Sequence, residues 1–125
     1  MSVAAAIRIT SSDEELVVAH AADFAQKNGT SCYVISIVQQ LPYGADSDEE
    51  CETVNRNLAM IASHHASPVM QEGRDVPQTI IDTARAFGIR TLFVQSGRAR
   101  GIDRSVAEEL LYLAPPFDVV VVASR

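Results

Sequence analysis

Two kinds of hydrophobic pattern alternate along the chain, and this alternation constrains the fold more than any other feature. Short runs rich in β-branched and aromatic residues predict strands at 3–10, 31–38, 67–72, 91–95 and 117–124. Between them, apolar residues recur with a helical period and predict helices at 13–28, 48–65, 76–87 and 104–114. A helix between successive strands lets them run parallel. We therefore predict an α/β fold, a three-layer α/β/α sandwich around a five-stranded parallel sheet.

Local signals set the ends and the faces of these helices. Ser12 and Glu15 have the spacing of a capping box, Ser47 and Glu50 repeat it, and Gly29 is a typical stop for the first helix. The residues expected to face the sheet are Val17, Ala21, Phe24 and Ala25; Val54, Leu58, Ile61 and Ala62; Ile80, Ile81, Ala84 and Phe87; and Val106, Ala107, Leu110, Leu111 and Ala114.

The composition describes one ordered domain over residues 1–125. It is 47% hydrophobic and 21% charged, and the net charge of -6 argues against nucleic acid or an anionic membrane surface as a partner. No apolar run approaches the roughly 20 residues that span a bilayer, so no membrane insertion is expected. The first ten residues lack the features of a signal peptide, and we expect the protein to be cytoplasmic.

Two loops are expected to meet at the point where the strand order of a doubly wound sheet reverses. One follows the first strand and the other follows the fourth, and both lead into helix N-termini, which favour anions. Glycines let backbone amides approach an oxyanion, and arginine forks suit phosphate. The candidate ligand-binding residues are Thr10, Ser11, Ser12, Ser96, Gly97, Arg98, Arg100, Gly101, Arg104 and Ser105. Alternatively, the arginines form a solvated basic patch and Ser12 is only a helix cap.

Other chemistries have little support in the sequence. His20, His64 and His65 share no metal-ligand spacing, and Cys32 and Cys51 form no CxxC pair, so no metal site is predicted. The sequence contains neither the P-loop motif nor GxGxxG or GxSxG. With no catalytic residues identified, we predict a binding protein rather than an enzyme, and nucleotide hydrolysis is a minor alternative.

Three stretches resemble the universal stress protein family, and the resemblance extends over nearly the whole chain. Residues 57–94 resemble the family's helix, short strand, E-G-x-D-V-like turn, second helix and following strand. Residues 105–124 resemble its last helix and strand, and residues 6–29 are similar to its first strand and helix. The likeness is greatest to the stress-protein domain of KdpD-type potassium sensor histidine kinases.

This resemblance implies the strand order 3-2-1-4-5, a Rossmann-like fold of the adenine nucleotide alpha hydrolase kind, and a ligand crevice between strands one and four. It also implies a regulatory role and ATP or another adenine nucleotide as ligand. The sequence departs from the ATP-binding motif, because three residues separate Gly97 from Gly101 and Arg104 precedes Ser105 where the family has glycine. Cyclic di-AMP, which some kinase-borne members bind, is matched only approximately by residues 10–12.

Two hypotheses of different classes follow. In the first, the domain senses an adenine nucleotide or another phosphorylated ligand through the two loops. In the second, it is a degenerate stress-protein domain that binds no ATP and serves dimerisation or protein interaction in stress or potassium signalling. With the implied order, residues 117–124 form an apolar edge strand, which a second copy would cover. We therefore predict a homodimer through this strand.

Overall fold

The computed structural model describes residues 2–38, 48–96 and 106–123. These residues form five strands and four helices that alternate along the chain. The elements are β1 (Ser2–Ile7), α1 (Glu15–Lys27), β2 (Ser31–Val38), α2 (Asp48–Ser63), β3 (Ser67–Glu72), α3 (Val76–Ala86), β4 (Ile89–Gln95), α4 (Val106–Tyr112) and β5 (Asp118–Val122).

The strands form one parallel sheet in the order β3-β2-β1-β4-β5. The first strand is central, and its Ala6 pairs with Ile35 of β2 on one side and Val94 of β4 on the other. The predicted fold class and strand order are confirmed. The chain adds β2 and β3 on one side of β1 and then adds β4 and β5 on the other side. The order in which strands are added therefore reverses between β1 and β4, although all strands run parallel.

Helices α1 and α2 cover one face of the sheet, and α3 and α4 cover the other. Successive side chains of β1 point to opposite faces, so they belong to two separate core clusters. Val3, Ala5 and Ile7 belong to the cluster formed with α1 and α2, whereas Ala4 belongs to the cluster formed with α3 and α4. The helix residues of the first cluster are Val17, Val18, Ala21, Ala25, Val54 and Ile61. Those of the second are Ile80, Ile81, Ala84, Ala107 and Leu110.

Several boundaries differ from the sequence-based prediction. β1 ends at Ile7 rather than at residue 10, since the chain turns there and the Ser11 amide donates to the Arg8 carbonyl at 3.0 Å. α2 ends at Ser63, two residues early, and His65 takes the left-handed conformation with φ 60°. β5 spans 118–122 where 117–124 was expected, and residue 124 lies outside the described part of the chain.

Some residues expected to face the sheet are largely exposed. Phe87 lies beyond α3, is 41% exposed, and packs its ring 5.2 Å from that of Tyr33 at the surface. The described part of α4 ends at Tyr112, earlier than predicted, and Ala114 turns the chain with φ 47° before two prolines. Leu111 is 53% exposed, because it lies one position beyond Leu110 and therefore off the face that Ala107 and Leu110 bury. Ala62, Val106 and Ala114 are exposed as well. Phe24 is also exposed, but it does face the sheet, since its ring lies 5.5 Å from that of Phe93 in β4.

Gly73 sets the close approach of β3 to α3. Its amide donates to the Val38 carbonyl at 3.0 Å, and a Cβ atom at this position would lie 2.6 Å from Cγ2 of Thr79. Thr79 cannot move aside freely, because its hydroxyl donates to the Asp75 carbonyl at 2.6 Å. Asp75 in turn caps α3 by accepting from the Gln78 amide at 3.2 Å. The turn between β3 and α3 therefore requires glycine.

The two edges of the sheet differ in character. β3 forms one edge and carries Pro68, which has no amide proton, together with the exposed Gln71 and Glu72. β5 forms the other edge and consists of Asp118 followed by four valines, of which Val120 and Val121 are 38% and 42% exposed. Of the two edge strands in the described part of the chain, β5 is the more apolar at its exposed positions.

Candidate functional site

The carboxyl ends of β1 and β4 lie side by side at one edge of the sheet. Val94 pairs with Ala6, so the last residues of the two strands, Ile7 and Gln95, come next to each other. The chain leaves β1 towards β2 and leaves β4 towards β5. In open α/β sheets a crevice suited to a ligand forms at such a reversal, and both predicted binding loops start here.

The loop after β1 is a compact turn that carries the predicted site residues Thr10, Ser11 and Ser12. Thr10 and Ser12 are exposed, whereas Ser11 is half-buried and its hydroxyl accepts from the Asp13 amide at 3.5 Å. The predicted capping box of Ser12 and Glu15 is wrong, because α1 begins two residues later than expected and Glu14 occupies its N-cap without a side-chain cap bond. The Ser12 hydroxyl is therefore not used by the helix in the way the sequence suggested.

Asn57 of α2 holds this loop from the other side, and the sequence analysis missed it. Its side-chain amide donates to the Ile9 carbonyl at 2.7 Å and to the Ser11 carbonyl at 2.8 Å. Asn57 is 5% exposed, and the other buried residues of its helix are Val54 and Ile61. The sequence does contain one signal for it, because Asn57 is a polar residue at helical spacing from the apolar Val54 and Ile61.

Carboxylates occupy the N-terminus of α1. Glu14 accepts from the Arg8 amide at 3.4 Å, and Asp13 and Glu15 are its neighbours in the chain. Burial raises the pKa of Glu14, and hydrogen bonds from the Arg8 amide and Ser11 and the charge of Arg8 lower it in part. Because these acids already complement the helix dipole, this end of α1 is less favourable to phosphate than the sequence suggested.

Glu14 gives a pH dependence of stability with a defined sign. Folding raises the pKa of this carboxyl group above 4.5, its value in the unfolded chain. The group therefore contributes its full stabilisation at pH values below 4.5, and that contribution is lost as the pH rises through the pKa of the folded state. Glu14→Gln cannot ionise, so we expect it to melt at a higher temperature than wild type at neutral pH and at about the same temperature below pH 4.5.

The control for this prediction is Glu15→Gln. This neighbouring carboxylate is exposed and loses only a surface pair with His64, at 3.2 Å, so no gain at neutral pH is expected. Thermal unfolding followed by circular dichroism across this pH range makes the measurement. A Glu14→Gln protein that is less stable than wild type at neutral pH would contradict the prediction.

On the β4 side, Ser96 is the one predicted site residue inside the described ranges. It is half-buried, and its amide donates to the Val122 carbonyl at 2.8 Å, which extends the pairing of β4 with β5 by one bond. Beside it, Oε1 of Gln95 is buried without a hydrogen-bond partner among the described residues. The other predicted residues, Gly97, Arg98, Arg100, Gly101, Arg104 and Ser105, lie outside the described part of the chain.

The cysteine and metal chemistry of the described residues gives no second candidate site. The described ranges contain no group of three or more His, Cys, Asp or Glu side chains that could hold a metal ion. Cys32 is buried, and burial raises the pKa of its thiol to about 11, so the reactive thiolate is disfavoured at neutral pH.

No helix in the described ranges has both the length and the apolar character needed to cross a bilayer.

The parallel strands and their order, which reverses between β1 and β4, define a doubly wound, Rossmann-like α/β domain. Solved structures of universal stress proteins share this fold. The protein from Archaeoglobus fulgidus in complex with dAMP matches with a TM-score of 0.70 and 23% identity, over 97% of this chain and 96% of that one. A stress-family protein from Burkholderia pseudomallei matches with a TM-score of 0.71 and 20% identity, over 98% and 96% of the two chains.

A third universal stress protein, solved in complex with cAMP, matches with a TM-score of 0.73 and 14% identity, over 98% of this chain and 95% of that one. Neither a protein-family model nor a curated protein sequence matches this chain. The structural likeness establishes the universal stress protein fold, and two of these neighbours were solved with an adenine nucleotide bound.

Proposed function

We propose that this protein is a regulatory module of the universal stress protein kind that binds an adenine nucleotide or another phosphorylated ligand without turning it over. The observation that carries the proposal is the adjacency of the β1 and β4 carboxyl ends, since the loops that hold residues 10–12 and Ser96 leave the sheet at this same end. Two structural neighbours solved with dAMP and cAMP support this class of ligand.

The electrostatics of the described residues suggest how the ligand is oriented. Carboxylates occupy the N-terminus of α1, so the β1 side suits hydroxyl and amino groups better than phosphate. We propose that the phosphates face the 97–105 segment, whose Arg98, Arg100 and Arg104 supply charge-assisted hydrogen bonds. ATP, dAMP, cyclic di-AMP and cAMP share this combination of a base, a sugar and phosphate.

A thermal-shift and calorimetry panel of ATP, ADP, dAMP, cAMP, cyclic di-AMP and inorganic phosphate tests the proposal. A ligand present at about 100 times its Kd should stabilise the folded protein by about 2.7 kcal/mol. Replacing all three arginines by alanine should weaken binding of the responding ligand at least about tenfold, since one such hydrogen bond contributes about 1.5–3 kcal/mol.

A matched variant separates binding from net charge. Lys27, Arg85 and Arg90 are exposed at the opposite end of the domain, at the ends of α1 and α3 and the start of β4. Their triple replacement by alanine changes the charge equally and should leave the affinity unchanged. If no compound in the panel shifts the melting temperature of the wild-type protein, the nucleotide proposal fails.

A specific observation favours a second candidate function, dimerisation and protein interaction. Beside the unpaired β5 edge lies an open groove of about 430 Å³, lined by Leu16, His20, Phe93, Val120, Val121, Val122 and Ala123. We propose that a second copy covers this edge in a homodimer. The sequence resemblance to KdpD-type sensor domains supports a role in cytoplasmic stress or potassium signalling, in which either function would serve.

A further inference from the structure

Asn57 connects two elements that are distant in the chain. It lies in the middle of α2, and both of its hydrogen bonds reach the loop after β1, 48 and 46 residues away. The bonds are short, at 2.7 and 2.8 Å, and the residue is 5% exposed. An amide in such surroundings costs stability unless it is hydrogen-bonded, and both donor hydrogens of this side chain have acceptors.

The apolar neighbours show that packing alone does not require asparagine here. Val54 and Ile61 lie three residues before and four residues after Asn57, on the same buried face of α2, and both are fully buried. Leucine has the same number and branching of side-chain heavy atoms as asparagine and, although larger, would continue this apolar stripe. The distinctive contribution of Asn57 is therefore its pair of hydrogen bonds to the loop.

Those bonds determine what the loop presents to the crevice. Backbone carbonyls carry partial negative charge, and the carbonyls of Ile9 and Ser11 are directed to α2 and neutralised by the Asn57 amide. The Ser11 amide is used in the turn to Arg8, and Thr10 and Ser12 are exposed. The loop is thus held in one conformation, with the Ile9 and Ser11 carbonyls bonded to Asn57 and with Thr10 and Ser12 at the surface.

We propose that Asn57 is a positioning residue of the ligand site: it fixes residues 9–11 so that Thr10 and Ser12 face a bound nucleotide. This inference rests on the proposed function and adds to it a residue on a third element, α2. Asn57 does not touch the ligand itself. Its effect on binding passes through the backbone of the loop after β1.

The test compares Asn57→Leu with Ile61→Ala in the full chain. Both remove a buried group from the same face of α2, but only the first frees the Ile9 and Ser11 carbonyls. With ATP as the probe in calorimetry, Asn57→Leu should raise Kd at least about tenfold, because small displacements of a positioned group have effects of this size. Ile61→Ala should stay within about twofold of wild type, even where its melting temperature falls further.

Two further measurements keep the proposal falsifiable if Asn57→Leu folds poorly. Asn57→Gln retains both donor hydrogens and should recover part of the lost affinity. Amide hydrogen exchange without ligand should be faster at residues 10–12 in Asn57→Leu than in Ile61→Ala when each is compared at equal global stability. Equal ATP affinity in Asn57→Leu and wild type, or an equal loss in Ile61→Ala, would overturn the proposal. A wild-type protein that binds neither ATP nor dAMP would instead refute the nucleotide site itself.

Discussion

Replacing Leu110 by alanine is expected to lower the free energy of unfolding by about 2–5 kcal/mol, the usual range for a large-to-small change in a core. Leu110 is fully buried in the cluster formed with α3. In the described part of α4, only Ala107 and Leu110 are buried, so one side chain supplies most of the contact between this helix and the rest of the protein. Its loss leaves a cavity where α4 packs on the cluster formed with α3.

The neighbouring Leu111 is a matched control for this experiment. It is the same residue type in the same helix, yet it is 53% exposed, so Leu111→Ala should change stability by no more than about 0.5 kcal/mol. Urea unfolding monitored by circular dichroism gives both values, provided that the slope of each transition is unchanged. Equal losses for the two variants would show that α4 packs differently from the arrangement described above.

Introducing a charge into the exposed edge strand should convert the proposed homodimer into a monomer. Val121 lies in β5 and is 42% exposed, with Val94 of β4 as its neighbour on the inner side. A second copy pairing with this strand would bury Val121, and an aspartate there would lose its hydration without gaining a partner. Val121→Asp should therefore halve the mass measured by light scattering at micromolar concentration.

The comparison variant is Ala62→Asp, which adds the same charge at an exposed position of α2. This helix packs against α1 and β3 and so lies away from β5. Ala62→Asp should keep the wild-type mass, and circular dichroism should show both variants folded. A wild-type protein that is monomeric under these conditions, or a Val121→Asp protein that remains dimeric, would contradict the homodimer proposal.

The sequence predicted the architecture correctly because the period of its apolar residues follows from secondary structure itself. The runs around Val34 and Val94 and the helical spacing of Val17, Ala21 and Ala25 are local signals, and each segment carries its own. The strand order is not local. It was obtained from the resemblance to universal stress proteins, and the structure confirms it.

The details of the candidate site depended on contacts that sequence spacing does not encode. Ser12 and Glu15 have capping-box spacing, but the Ile9 and Ser11 carbonyls are held by Asn57, and the helix starts only after the loop has turned. Asn57 itself is 46 residues from the loop that it holds, so no local pattern indicates the contact. The binding roles of residues 97–105 remain predictions, for which the arginine variants are the test.

The difference between the two edges of the sheet limits how many copies can associate. A two-fold contact between β5 strands would use up the apolar edge of both copies, and the opposite edge carries Pro68 and the exposed Glu72. A third copy would find no comparable strand to pair with. Association through the sheet is thus expected to stop at a closed pair instead of growing into a fibre, although the exposed strand consists almost entirely of valine.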